Sequence, residues 1–163
     1  MTPVWLETAR KYIGTKEIPG LKNSEVIMGW ASYLGGWIKT FYKNDEIAWC
    51  GLGAGALFKA CGFPLPKNPL SAISWASWGV SLPTPSLGCI LVFKRPGGGH
   101  VGLYAGEDST CYHVLGGNQG NSVSVTRIEK ARCVAIRWPA GVPMPTTGRV
   151  FLTPKGQPSK NEA

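Results

Sequence analysis

Two side chains in this sequence of 163 residues have the types and setting for nucleophilic chemistry: Cys50 and His100. Cys50 follows Asp45-Glu46-Ile47-Ala48-Trp49 and precedes a small, apolar run that stops at Gly62 and Pro64. Acidic residues ahead of an apolar run start helices, and Gly followed by Pro stops them. The spacing therefore predicts a helix of about three turns with Cys50 in or near its first turn. A thiol there meets unpaired backbone N–H groups and the positive end of the helix dipole, which stabilise its thiolate. A free cysteine on a small-residue helix is more often packing than chemistry, so the case rests on a base. A thiol nucleophile needs one within hydrogen-bond reach, and the base needs a third polar group to fix its tautomer. His100 follows Gly97-Gly98-Gly99, glycines that let backbone and substrate approach without a Cβ in the way. Asn118 lies in the Gly-rich loop after the next strand, and the chain holds only one further histidine, His113.

The elements that must position these residues read as helices first and sheet second. Pro3 to Ile13 has helical spacing and closes at Gly14, and Gly14 to Asn23 reads as loop. Ser24 to Trp37 is helical with one apolar side, broken at Gly35-Gly36, and an aromatic-rich connection leads to Asp45. After the Cys50 helix, Ser71 to Trp78 is a short helix placing Trp75 and Trp78 on one face, where core or cleft wall is the ordinary use of such a pair. From Leu87 the period changes. Strands are predicted at 89–94, 100–105, 110–115, 122–128 and 133–138, joined by tight Gly turns, which implies an antiparallel sheet. The fold class is α+β, with the N-terminal helices packed on a five-stranded antiparallel sheet. Residues 1–139 form one catalytic domain, and the Pro, Gly and Lys rich stretch 140–163 is expected to be a mobile tail.

Composition narrows the partners. The formal charge is +8, from 17 Lys and Arg against 9 Asp and Glu, which favours anionic surroundings. The basic residues are scattered and do not alternate with aromatics in a block, so no nucleic-acid groove is expected. No apolar run approaches the ~18 residues of a membrane span, and Met1 to Glu7 lacks the basic opening and apolar core of a secretory signal. Five cysteines form an odd set with no C-x-x-C pair. Neither a zinc framework nor a disulfide scaffold is implied, and no metal or cofactor is expected. Asp45 and Glu46 have three readings: dipole partners of the helix, contacts to substrate amines, or an influence on Cys50.

In combination, Asp45-Glu46-x-x-Trp49-Cys50, Gly88-Cys89-Ile90-Leu91-Val92-Phe93, Gly99-His100-Val101-Gly102-Leu103-Tyr104 and Leu115-Gly116-Gly117-Asn118-Gln119 resemble the papain-like NlpC/P60 and CHAP peptidoglycan hydrolases, nearest to a phage endolysin-like branch. The resemblance spans about residues 5 to 139 and departs at Cys89, where relatives often carry Asp. It implies a papain-like fold and a cysteine amidase or endopeptidase cutting an amide in the peptide stem of bacterial peptidoglycan. By position, Cys50 would be the nucleophile, His100 the base and Asn118 the orienting residue. His113 is the alternative third member, as NlpC/P60 relatives often have a second histidine there. The resemblance further implies a monomer without stable membrane insertion, held in the host cytoplasm until lysis and then acting in the periplasm or cell wall. Competing readings are a non-catalytic wall-binding or virion-structural domain, and a thiol acyltransferase or toxin effector.

Overall fold

A computed structural model describes residues 2–18, 23–45 and 47–162; residues 19–22 of the expected loop, and Glu46, lie outside this set. Helix α1 spans Val4–Arg10 and is shorter than expected, because the chain passes through successive turns to Gly14, where φ is +98°. The Ser24 hydroxyl accepts from the Ile27 N–H and starts α2, Glu25–Leu34, a standard way to satisfy a first-turn donor. Gly35, at φ +68°, breaks that helix as its position suggested, yet the chain re-enters helix at once as α3, Gly36–Phe41. Helix α4, Cys50–Ala60, ends where Gly62 adopts φ +83° and its N–H returns to the Lys59 carbonyl. A 3-10 helix, Ala72–Ser77, stands where the second short helix was expected.

The sheet is open, antiparallel and six-stranded, with one strand more than the sequence indicated. Its strands are β1 (Val80–Ser81), β2 (Ile90–Arg95), β3 (Gly98–Glu107), β4 (Cys111–Gly116), β5 (Ser124–Glu129) and β6 (Cys133–Trp138), in the order β1-β6-β2-β3-β4-β5. The extra strand, β1, pairs Val80 with Trp138 and Ser81 with Arg137. Two residues are too few to display a period-two pattern, so only its pairing reveals it. Register puts Ile90 opposite Leu103 and Leu103 opposite Leu115. Paired residues share a face, and this apolar row lies beneath α4 with Leu57.

The core continues into an aromatic cluster. Trp5 packs against Phe58, Phe63 and Trp138, while Trp75 and Trp78 pack on Phe58. Each buried ring contributes roughly 1.5–3 kcal/mol, provided its polar edge is satisfied. The indole N–H groups of Trp5, Trp75 and Trp78 donate to Gly88 O, Pro69 O and Pro64 O. Trp75 and Trp78 are thus core residues that also hold the 64–69 connector against α4.

The stretch after Trp138, expected to be a mobile tail, bonds back to the sheet. Leu152 N–H donates to Glu107 O, Glu107 N–H to Val150 O, and Ser159 N–H to Arg127 O. Arg149 and Lys130 close on the buried Glu107 carboxylate, at 2.5 and 2.7 Å. The reason is electrostatic: buried acids in this region take Arg and Lys partners, and such pairing leaves no compositional trace. Among the described residues no helix is long and apolar enough to cross a membrane.

Candidate active site

Cys50 opens α4 with Trp49 in non-helical conformation before it and no side chain capping the helix. No side chain therefore competes for the first-turn N–H groups. Gly51 lies so close to the carbonyls of Pro69 and Leu70 that any Cβ would collide with them, which seats the helix mouth against that connector. Cys50 is buried, at 6% exposure. Burial pushes its thiol pKa up. The adjacent His100 imidazole, together with the N–H groups of Val101 and Gly51 directed at the sulfur, outweighs that and brings it below the ordinary thiol value. Cys61, Cys89 and Cys133 move the other way, chiefly through burial, Cys89 up to about 12. Cys50 is the thiol made acidic.

His100, on β3, is fully buried. Its Nε2 lies 2.9 Å from Gln119 Oε1. The Gln119 amide donates through its own Nε2 to Val114 O at 3.0 Å and Ser124 O at 2.7 Å. Two carbonyl acceptors fix the amide nitrogen, so Oε1 must face the ring and accept. His100 Nε2 accordingly carries the hydrogen, and Nδ1 is left as the basic atom. Nδ1 is buried without a hydrogen-bond partner, and the group it answers to is Cys50. The thiol sits outside strict hydrogen-bond geometry but near enough for each to shift the other; such contacts are often loose before substrate binds. Burial lowers the His100 pKa, but Cys50, then Gln119 and Glu162, raise it above the ordinary imidazole value. A thiol shifted down beside an imidazole shifted up is the signature of a thiolate–imidazolium pair.

The Gly-Gly-Asn-Gln stretch is explained residue by residue. A Cβ on Gly116 would lie 2.8 Å from Gln119 Oε1 and 3.4 Å from His100 Nε2, and one on Gly117 would lie 2.7 Å from the Trp49 ring. Trp49 is itself fixed by its indole N–H on Glu17 Oε1 at 2.8 Å. Asn118 takes the left-handed conformation, φ +59°, which Asn tolerates better than most residues. That turn sends its side chain away from His100: Asn118 Nδ2 donates to Glu162 O at 2.9 Å. Asn118 thus makes the turn, and Gln119 makes the contact assigned to Asn118 from sequence. His113 does not meet His100 either. It bonds Asp108 Oδ2 at 2.7 Å, beside Arg127, whose guanidinium foremost holds the Asp108 carboxyl far below the usual range.

Two further residues belong to this neighbourhood. Tyr42 is buried, donates its hydroxyl to Ala48 O, and is pushed well above its ordinary pKa by burial and by the charge of Cys50. Nothing in the sequence marked it beyond an aromatic-rich connection. Asp45 is buried and accepts from Ile18 N–H at 2.8 Å and Ser24 N–H at 2.5 Å. It thereby ties Ile18 to Ser24, a role that none of its three sequence readings included. A largely apolar cavity of ≈ 310 Å³ adjoins Cys50, walled by Trp30, Leu57, Val101, Leu115 and Gly117 with Tyr12 and Tyr33 toward its α1 and α2 side. No group of three metal-binding side chains occurs among the described residues.

A scan against protein-family models finds no match, and a search of curated proteins finds no significantly similar sequence. The class this geometry defines is therefore stated from the site itself: a buried, acidified cysteine at a helix start, paired with a histidine whose tautomer is fixed by a glutamine.

Proposed function

We propose that the protein is a cysteine hydrolase of amide bonds, with a papain-like fold of the NlpC/P60 and CHAP type, acting on the peptide stems of bacterial peptidoglycan. The observation that carries this reading is the ordered relay Cys50–His100–Gln119, with the only thiol among those shifted that becomes more acidic. The sequence resemblance supplies the substrate class, and the +8 charge suits a polyanionic wall. A phage endolysin, waiting in the host cytoplasm and reaching the wall at lysis, is the setting that the resemblance favours.

In this mechanism His100 Nδ1 takes the Cys50 proton, and the thiolate attacks the amide carbonyl. Backbone N–H groups at the α4 start take the developing oxyanion, where fixed donors are worth several kcal/mol. The imidazolium returns its proton to the leaving amine, giving a thioacyl enzyme. Water, deprotonated by His100, then releases the acid and regenerates the thiol. Gln119 Oε1 holds the Nε2 hydrogen throughout, so Nδ1 faces the reaction.

The experiment is turbidity loss of permeabilised Gram-negative cells, followed by mass analysis of products from purified wall fragments. Active parent and inactive Cys50→Ala, both folded, support hydrolysis; lysis by Cys50→Ala rejects the nucleophile. A second reading is acyl transfer, favoured by the apolar cavity adjoining Cys50. Products carrying a new acyl–amine bond, instead of a free acid, would select it.

A further inference from the structure

The chain beyond β6 returns to the catalytic loop. Glu162 ends buried, at 1% exposure. Arg132 donates to its two carboxylate oxygens at 2.5 and 3.0 Å, and Ser159 Oγ donates to one at 2.6 Å. Its backbone carbonyl takes the Asn118 amide, one residue from the glutamine that holds His100. A carboxylate withdrawn from water is costly even when paired, and an apolar residue commonly fills such a gap at least as well. Packing alone therefore gives no reason for an acid here.

We propose that Glu162 is a positioning residue of the Cys50–His100 site, holding the Gln119 loop through Asn118 and placing a buried negative charge near the ring that must carry a proton. The inference rests on the thiol-hydrolase reading above. His100 faces Cys50 from α4, the neutral Gln119 amide from the loop and the Phe93 ring from β2, and it feels the charge of Glu162, which is paired with Arg132. Tyr42 acts on the same pair through Cys50. Of these, Glu162 is the carboxylate, and it favours the imidazolium without touching it. Replacing it by a neutral residue also leaves the Arg132 guanidinium uncompensated nearby, so both changes disfavour a proton on His100.

The test is imidazole nitrogen NMR across pH on the full chain, where only two histidines report, together with kcat/KM across pH on wall fragments. In Glu162→Gln the His100 midpoint moves down, and kcat/KM falls about threefold to tenfold on the alkaline side with less effect at lower pH. Glu162→Asp restores most of both. An unchanged midpoint overturns the proposal, and so does an equal loss of activity at every pH, which is what a purely mechanical anchor gives. Should Glu162→Gln lack a thermal unfolding transition, Asn118→Gly decides: it keeps the left-handed turn, frees the Glu162 carbonyl, and is expected to lower the same midpoint. Cys50→Ser separates the two readings. If it leaves the His100 midpoint where it was, the thiol–imidazole pair itself fails; if it lowers the midpoint while Glu162→Gln does not, only the role of Glu162 fails.

Discussion

Gln119→Ala is the substitution with the sharpest consequence. The change removes the acceptor 2.9 Å from His100 Nε2 and the two donors that bond Val114 O and Ser124 O. During turnover His100 is positively charged, and a hydrogen bond to a charged group is worth about 1.5–3 kcal/mol. At 1.36 kcal/mol per factor of ten, its loss lowers kcat/KM by roughly 10- to 150-fold. The ring also loses its fixed tautomer, which pushes the loss toward the upper end. Val114 O on β4 and Ser124 O on β5 lose these donors, which costs up to about 1–3 kcal/mol each in stability before any water enters. Thermal unfolding must therefore be followed beside activity, and rates compared well below the lower transition. His113→Gln is the contrast, since His113 belongs to the Asp108 and Arg127 cluster; it should lose stability and keep kcat/KM. The reasoning is refuted if folded Gln119→Ala works at the parental rate while His113→Gln is inactive.

Three other outcomes follow from the same geometry. Gly117→Ala puts a methyl 2.7 Å from the Trp49 ring, so calorimetry should show about 1–3 kcal/mol of destabilisation with a lower kcat, because Gly117 lies in the loop that brings Gln119 to His100. Limited alkylation below about pH 7, mapped by peptide mass, should label Cys50 ahead of Cys61 and Cys133 although these are more exposed, since their pKa values are raised and that of Cys50 is lowered; labelling in order of exposure would contradict the acidified thiol. Burial works against ionised Glu107, but Arg149, Lys130 and Tyr104 bring its pKa from 4.5 to about 2. A depressed carboxyl stabilises the fold above its unfolded value and loses that contribution as pH falls through its folded value. Melting temperature should therefore drop across this window in the parent, and Glu107→Gln should melt lower near neutrality with a flatter acid dependence.

The residues legible in the sequence were those whose role is written in local chain signals. Cys50 stood between acidic residues and a small apolar run, and His100 followed three glycines at the start of a strand; the structure brings these two side chains together. Gln119 was missed because the contact depends on a backbone turn. With Asn118 at φ +59°, the shorter amide faces the C-terminal stretch and the longer one faces the imidazole. An asparagine after two glycines, a residue type that tolerates the left-handed turn, is the sequence signal that would have pointed one residue further on. Helices α1, α2 and α4 and the five longer strands followed from local signals, whereas α3 lies in what read as an aromatic-rich connection and β1 exists only through its pairing with β6. The C-terminal stretch looked mobile by composition, because ion pairs such as Glu162 with Arg132 join residues 30 apart and leave no mark in either neighbourhood. The role of Asp45 was hidden in the same way, since its carboxylate binds Ile18 and Ser24 more than twenty positions earlier; Tyr42 bonds Ala48 only six positions on, but nothing set it apart within an aromatic-rich connection.

The most direct measurement is the ultraviolet absorbance of the Cys50 thiolate across pH, taken as the difference between the parent and Cys50→Ala. A thiolate held by His100 should appear below the ordinary thiol range and shift to higher pH in His100→Ala. Absorbance rising only in the ordinary range, and equally with or without the imidazole, would contradict the account.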